Sequence, residues 1–309
     1  MGKIKTFLNV LRSNPKEIPE LAVGNLTAMG LLNWMPDEAF LKLRYWAVKQ
    51  RKLDLKDPKT FNEKLQWLKL HNRKPEYTMM VDKYRVREYI ARTIGEEYLI
   101  PLLGVWDDPE DIDFDMLPDR FVLKCNHDSG SVILCPDKSC FDAEAAREKL
   151  RSSMKKNLFW WGREWPYKDV KPCVIAEKYM VDESGTQLKD YKFFCFYGEA
   201  KMIQVDFDRF VEHKRNIYNT KWEMQDLQIQ FPRDAKQDIP KPAELDRMIR
   251  LAEKLARGIP HVRVDFYVVE GRVYFGELTF FHGSGHERFT PEEWDYKFGE
   301  WIDLTQMDR

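Results

Sequence analysis

Residues 261–281, HVRVDFYVVEGRVYFGELTFF, place Arg263, Asp265, Glu277 and Thr279 at even spacings within two β-branched and aromatic runs. Successive side chains of a strand point to opposite faces, so Arg263, Asp265 and Tyr267 share one face, and Glu277 and Thr279 share one beyond the turn. Two carboxylates and a hydroxyl on adjacent strands make an oxygen-only donor set. It suits Mg²⁺, which takes few protein carboxylates and completes its shell with water and phosphate oxygens. Whether the two sets converge depends on the connection. A two-residue Glu270-Gly271 turn opposes Asp265 to Gly276 and sends Glu277 to the wrong face. A three-residue loop, Val269-Glu270-Gly271, opposes Arg263 to Glu277 with Asp265 beside them, and this register is the one expected. The plainer alternative is a cross-strand Arg263–Glu277 pair on a half-exposed sheet.

A second stretch, FVLKCNHDSGSVILC at 121–135, sets Lys124 inside an apolar run and follows it with a polar loop. Burying an ammonium without a partner is costly. The loop 126–131 offers the side chains of His127, Ser129 and Ser131, backbone N–H groups and a conformationally free Gly130, which together can close over phosphate oxygens. A nucleotide phosphate satisfies both the lysine and the loop; a plain hairpin with Lys124 facing solvent is the alternative. Neither G-x-x-x-x-G-K-[ST] nor G-x-G-x-x-G occurs, so no P-loop or Rossmann fingerprint is present.

These residues need a scaffold, and 309 residues with 43% hydrophobic and 14% aromatic content can supply sizeable cores. The net charge of −1 excludes a polycationic surface for nucleic acid. Five cysteines without a CxxC spacing predict a reducing cytoplasm and no structural zinc. No run of about 18 apolar residues marks a membrane span. Through residue 60 eleven Lys/Arg stand against six Asp/Glu, a balance suited to contact with the inner membrane face or to a solvated basic surface. The opening MGKIKT also fits the short myristoylation pattern M-G-x-x-x-[ST].

Helical periodicity fills residues 1–75, where Thr60 and Glu63 are spaced as a capping box. A helix over VDKYRVREYIARTI and a strand-like YLIPLLGVW follow. From 121 onward strands dominate, in pairs too closely connected for repeated βαβ crossovers, which predicts an α+β architecture with antiparallel sheets.

In order along the chain, FNEKLQWLKL, VDKYRVREYI, YLIPLLGVW, FVLKCNHDSGSVILC, GREWPY, VIAEKYM, DYKFFCF, RVDFY, GELTFF and TPEEWDYKFGEWIDL resemble the ATP-grasp superfamily. The likeness is nearer to its TupA-like branch, associated with teichuronopeptide and other surface-polysaccharide biosynthesis. The resemblance implies an ATP-grasp fold of two α+β subdomains enclosing ATP, with an N-terminal helical extension. Expected boundaries are 1–75 for the helical region, 76–120 for a preceding segment, 121–180 for the small subdomain and 181–309 for the large one with the metal site.

The resemblance further implies that Lys83 and Lys124 contact ATP, with the loop 126–131 over the phosphates. Glu177 would face the adenine amino group, the backbone of Lys178, Tyr179 and Met180 its edge, and Glu183 the ribose. Asp265 and Glu277 would bind Mg²⁺, and Arg263 would stabilise charge developing during phosphoryl transfer. Thr279 stands where many ATP-grasp ligases carry asparagine, which puts its metal role in question. Lys192, in KDYKFF, is expected to reach the γ-phosphate, with pairing to Asp190 as the alternative.

ATP-grasp ligases generally join a carboxylate to an amine through an acylphosphate, and small-molecule carboxylate and amine substrates are expected here. In LFWWGREWPYK, Trp160, Trp161, Trp165 and Tyr167 offer flat faces to a sugar ring and Arg163 a fork for a carboxylate, features met together in a hexuronic acid of a glycan or lipid-linked sugar; the alternative is a core-filling aromatic cluster under a long loop. Ser284 and His286 of FFHGSGHERF would add acceptor contacts. The competing readings are a glycosyltransferase using Asp206-Phe207-Asp208 as a metal-holding D-x-D, an ATP-grasp phosphotransferase, and a non-catalytic nucleotide-binding protein.

Overall fold

The computed structural model describes residues 15–181, 188–207, 213–237 and 239–308. Glu183, Asp208 and the MGKIKT opening lie outside the described residues. Eleven strands are described: β1 Leu102–Trp106, β2 Phe121–Cys125, β3 Ile133–Cys135, β4 Val174–Lys178, β5 Asp190–Phe196, β6 Glu199–Phe207, β7 Lys214–Asn219, β8 Gln228–Ile229, β9 Val262–Val269, β10 Arg272–Thr279 and β11 Phe289–Thr290. They form a four-stranded sheet in the order β1-β4-β2-β3, a five-stranded sheet in the order β10-β9-β5-β6-β7, and a β11-β8 pair. Every pairing is antiparallel. The architecture is α+β, with helices preceding both sheets.

Each sheet has its own apolar core. Phe121, Leu123, Cys125, Cys135, Val174 and Ala176 pack with Leu150 of the helix Ala143–Met154 under the small sheet. The large sheet packs against the helices Phe61–His71, Val86–Thr93, Leu245–Leu255 and Glu293–Glu300. The helix predicted over 81–94 is shorter at its start: the preceding helix Glu76–Val81 ends at Asp82, leaving Lys83 in a turn. Asp82 Oδ1 accepts from the N–H groups of Tyr84 and Arg85, which holds that turn open.

The predicted capping box is present. Glu63 N–H donates to Thr60 Oγ1 at 3.2 Å and Thr60 N–H to Glu63 Oε2 at 3.0 Å, so both orphan donors at the helix start are satisfied. The helix so anchored carries Lys69, which is fully buried. Its ammonium donates to Gly162 O at 2.8 Å, Ser284 O at 2.9 Å, Ser284 Oγ at 3.0 Å and Gln66 Oε1 at 3.1 Å. Burial lowers its pKa to about 8. One side chain thus ties three chain segments together, and Lys69→Ala would strand buried acceptors. We expect it to cost about 3 kcal/mol, read as a lower denaturant midpoint at unchanged slope; a shift below about 0.5 kcal/mol would contradict this tie.

The hairpin β9–β10 corrects the expected register. Glu270 and Gly271 form a two-residue turn, both at positive φ (52° and 69°), and pairs such as Phe275↔Phe266 follow it. A bulge at Gly276 then shifts the pairing, so that Glu277 lies opposite Asp265 and Thr279 opposite Arg263. A Cβ on Gly276 would sit 3.1 Å from both Asp265 O and the Tyr267 ring, an approach that glycine allows. Convergence of the carboxylates is therefore achieved by a bulge, where a three-residue loop was expected.

Candidate active site

Register across the large sheet assembles a charged face. Glu277 pairs with Asp265, Asp265 with Lys192, and Lys192 with Gln204. In the neighbouring row Tyr267 pairs with Asp190, Asp190 with Asp206, and Asp206 with Arg215. Directly opposed residues of a sheet share a face, so these side chains meet. Arg263 forks onto Asp265, with Nε to Oδ1 at 2.7 Å and Nη2 to Oδ2 at 2.6 Å, and the same Nη2 lies 2.8 Å from Glu277 Oε1. Thr279 Oγ1 donates to Glu277 Oε1 at 3.3 Å. Lys192 Nζ is 2.7 Å from Asp190, 3.3 Å from Asp206 and 3.8 Å from Asp265.

Burial raises the Asp265 pKa to about 6, against the pull of Arg263 and Lys192. Burial also opposes ionisation of Glu277, but Arg263, Lys83 and Lys192 hold it below the usual carboxylate range.

A second tier fixes Arg263. Its Nη1 donates to His282 Nδ1 at 2.9 Å. A guanidinium only donates, so the neutral ring carries its proton on Nε2, which lies 2.7 Å from Glu287 Oε2. Glu287 also meets Arg215 Nη1 at 3.0 Å. Despite burial, His282, Arg215 and Arg263 bring its pKa to about 2. The five carboxylates Asp190, Asp206, Asp265, Glu277 and Glu287 face the three cations Lys192, Arg215 and Arg263, which leaves two formal negative charges.

The small sheet presents the opposite sign. Lys124 Nζ lies 2.6 Å from Glu177 Oε2, and Arg87 Nη1 3.5 Å from Oε1. Lys83 donates through its backbone to Asn126 O at 2.9 Å and through its ammonium to Asp128 O. Burial and the charge of Lys124 lower the Lys83 pKa, while Glu277 and Asp128 raise it. This mutual influence of Lys83 and Glu277 links the turn after Asp82 to the large sheet. Lys83, Lys124 and Arg87 against Glu177 and Asp128 leave one formal positive charge, opposite in sign to the acidic half.

Within the loop 126–131, His127 and Ser131 turn inward. His127 Nε2 meets Lys156 O at 3.1 Å, and Ser131 Oγ accepts from Cys125 N–H at 2.8 Å while bonding Asp128. They shape the loop, and its exposed tip is Ser129 and Gly130. Lys178 and Met180 follow Glu177 at the surface, with Tyr179 beneath Arg120, 4.6 Å from the ring. If Lys124 is the ATP contact that the resemblance implies, Lys124→Ala weakens ATP binding by roughly 10–100-fold, the worth of one charge-assisted hydrogen bond; unchanged calorimetric affinity would remove it from the site.

Arg163 departs most from expectation. It is 1% exposed, lies 3.3 Å from Asp37, donates to Leu32 O at 3.1 Å and Met35 O at 3.2 Å, and sits 4.5 Å over Phe40 and 4.8 Å over Trp160. It is a bolt between the N-terminal helices and the core, closed to any substrate carboxylate. Lys192 is engaged by three carboxylates, so pairing with Asp190 accompanies any phosphate contact. Asp206 is likewise engaged, with Arg215 Nε at 2.7 Å, Gln204 at 2.9 Å and His213 at 3.1 Å, and does not stand open as half of a D-x-D. Trp161 is 45% exposed, and lines a pocket with Ser284 and His286. Arg87 and Glu287 escaped the sequence reading because their partners are distant in the chain; Arg215 has a sequence signal only in its strand alternation.

A family model described as TupA-like ATPgrasp matches residues 63–303. The chain belongs to the TupA-like ATP-grasp family. No curated protein matches it. Among solved structures, the D-alanine–D-alanine ligase from Bacillus anthracis complexed with ATP is similar at 20% identity, over 65% of this chain and 55% of that chain, with a TM-score of 0.38. The RimK domain ATP-grasp protein from Sphaerobacter thermophilus matches at 14% identity, over 75% and 70%, with a TM-score of 0.41. The ATP-grasp ligase PsnB, complexed with a phosphomimetic variant of its minimal precursor, Mg and ADP, matches at 12% identity, over 89% and 74%, with a TM-score of 0.41. The chain thus spans little more than half the length of the first of these.

In this ATP-grasp chain the acidic half fits a divalent cation. Arg263 Nη2 already marks a cation position common to Asp265 and Glu277, and the Glu277 side chain is 41% exposed. Among the described residues no group of three acidic, histidine or cysteine side chains is arranged to hold a metal alone. Two carboxylates whose cation needs outside oxygens match Mg²⁺ carried on phosphate.

Proposed function

We propose that this chain is an Mg²⁺- and ATP-dependent carboxylate–amine ligase, joining an amino acid or other amine to a carboxylate, a uronic acid of a bacterial surface polysaccharide. The observation that carries the reading is the opposition of Asp265 and Glu277 on the large sheet to Lys124 on the small sheet and Lys83 in the turn after Asp82, with Lys83 and Glu277 acting on each other's charge. A triphosphate with its cation complements both halves at once.

Lys83 and Lys124 orient the phosphate chain beneath the Ser129–Gly130 tip. Glu177, fixed by Lys124 and Arg87, presents its carboxylate toward the base, and the backbone of Lys178, Tyr179 and Met180 lines its edge. Bound Mg²⁺, held by Asp265 and Glu277, would neutralise phosphate charge and fix the γ-phosphoryl group. Arg263, oriented by Asp265 and His282, directs its guanidinium at the reacting carboxylate. In the first step the carboxylate oxygen bonds the γ-phosphorus and ADP leaves; in the second the amine nitrogen bonds the acyl carbon, a proton is lost, and phosphate leaves. No described side chain need become covalently modified. The placement we infer is cytoplasmic, at or near the inner membrane face; no described helix is long and apolar enough to cross a membrane.

The test is calorimetric titration with MgATP and, separately, with Mg²⁺ and UDP-sugars, followed by a screen of uronic acids with amines for ADP and phosphate release. Metal-dependent ATP binding with amine-dependent phosphate release supports the ligase. A stable phosphoproduct that forms without amine replaces it with a phosphotransferase. Selective UDP-sugar binding overturns it.

A further inference from the structure

Helices Ile18–Ala28 and Asp37–Lys49 precede the family-matched region, yet they wall a pocket of about 320 Å³ against the loop 283–288. Arg44, Lys49 and Arg288 line it, with Trp161, Phe231 and His286. Two acidic residues also line it: Glu20, whose charge acts on Arg44, and Glu287, which directs its carboxylate to His282 and Arg215. Arg44 Nη1 and His286 Nε2 are buried without a hydrogen-bond partner. Buried polar atoms of that kind call for a ligand or water. The charge is unbalanced as well: burial, with Lys69, Arg44 and Lys49, holds the His286 pKa well down.

The walls are also aromatic. The Arg44 guanidinium lies over the Trp161 ring at 5.1 Å, and Phe231 is covered by His213 at 3.8 Å and Arg215 at 4.8 Å, so the open aromatic surface is that of Trp161, 45% exposed. Flat apolar surfaces beside forked and point cations suit a ring carrying an anionic group. The volume, at the lower end for ligand pockets, admits one hexose-sized ring.

We propose that this pocket binds an anionic sugar residue, through a carboxylate or a phosphate on its ring, as an acceptor subsite separate from the reacting carboxylate. Its acceptor role rests on the ligase reading; its ligand chemistry does not. The separation follows from the loop. On its pocket side, Lys49 Nζ donates to Glu287 O at 2.5 Å, whereas the Glu287 carboxylate and His282 hold Arg263 on the other side. Gly285 fixes the loop between them: at φ +66°, a Cβ there would lie 2.5 Å from Gln66 Nε2. An acceptor seated in the pocket therefore rests against the same loop that orients the catalytic guanidinium.

The full chain, without nucleotide, would be titrated with glucuronate, glucose 6-phosphate, glucose and inorganic phosphate, followed by saturation-transfer NMR. At least one anionic sugar is expected to bind with a Kd on the order of millimolar, and glucose at least about tenfold more weakly. Which anionic sugar binds better decides between carboxylate and phosphate. Arg44→Gln with Lys49→Gln should weaken that binding at least about tenfold, the equivalent of one charge-assisted hydrogen bond. Arg288→Ser, at an exposed position, should weaken it several-fold with unchanged melting, which guards against a misfolded double variant. Equal binding of glucose, equal binding of inorganic phosphate alone, or unchanged affinity in Arg288→Ser together with the double variant would each overturn the proposal. Sugar binding without any MgATP-dependent turnover would leave the pocket standing and remove the ligase; turnover without sugar binding would do the reverse.

Discussion

Arg263→Ala should reduce turnover by roughly 10²–10³-fold, the loss seen when a preorganised group facing developing charge is removed. Metal-dependent ATP binding should persist. Arg263 neutralises Asp265 and Glu277 from within, so its removal leaves those carboxylates with less competition for an external cation. Arg263→Lys separates charge from geometry: an ammonium keeps the charge but cannot bond both Asp265 oxygens and His282 together. It should recover only part of the loss. Single-turnover ADP release with calorimetry on the same preparations provides the measurement. Loss of ATP binding in parallel with turnover would make Arg263 a structural strut of the sheet and end its assignment to the reaction.

Asp265→Asn combined with Glu277→Gln has the complementary signature. The acidic half loses the two formal charges that made it a cation site, while Lys83 and Lys124 stay in place. ATP should still bind, at an affinity indifferent to Mg²⁺, and turnover should fall below detection because the γ-phosphoryl group is no longer held. Titrating ATP with and without Mg²⁺ into wild type and variant isolates the coupling. A variant that keeps the wild-type metal response would place the cation elsewhere. Both substitutions are near-isosteric, which limits the change in packing, and a melting curve for each checks this.

Much of this site was legible as alternation. Period-two patterning put Arg263, Asp265, Glu277 and Thr279 on shared faces, and the Thr60–Glu63 spacing located a helix start, because both signals are local. The register was misjudged where its cause was the bulge, although a glycine inside a strand pattern was its visible mark. Arg163 shows the other limit. A forked cation among tryptophans looks the same in sequence whether it awaits a ligand or is already enclosed, and the enclosing groups, Asp37, Phe40 and the carbonyls of Leu32 and Met35, lie more than a hundred residues away. His127 and Ser131 were assigned outward for the same reason, since nothing local tells whether a loop side chain braces its own turn. The lysine pair was legible only as residue types: Lys124 meets Glu177 of another strand, and Lys83 stands in a turn where a continuous helix was expected.

The bulge at Gly276 also divides β9–β10 in time. Interrupting the ladder between Phe275 and Glu277 weakens cooperation between the turn end of the hairpin and the end carrying Arg263 and Asp265. Fraying that begins at Glu270-Gly271 can stop at the interruption, so amides near Val268 and Val273 should exchange with deuterium faster than those of Val264 and Leu278. The end of the hairpin nearest solvent then breathes while the charged end keeps its geometry.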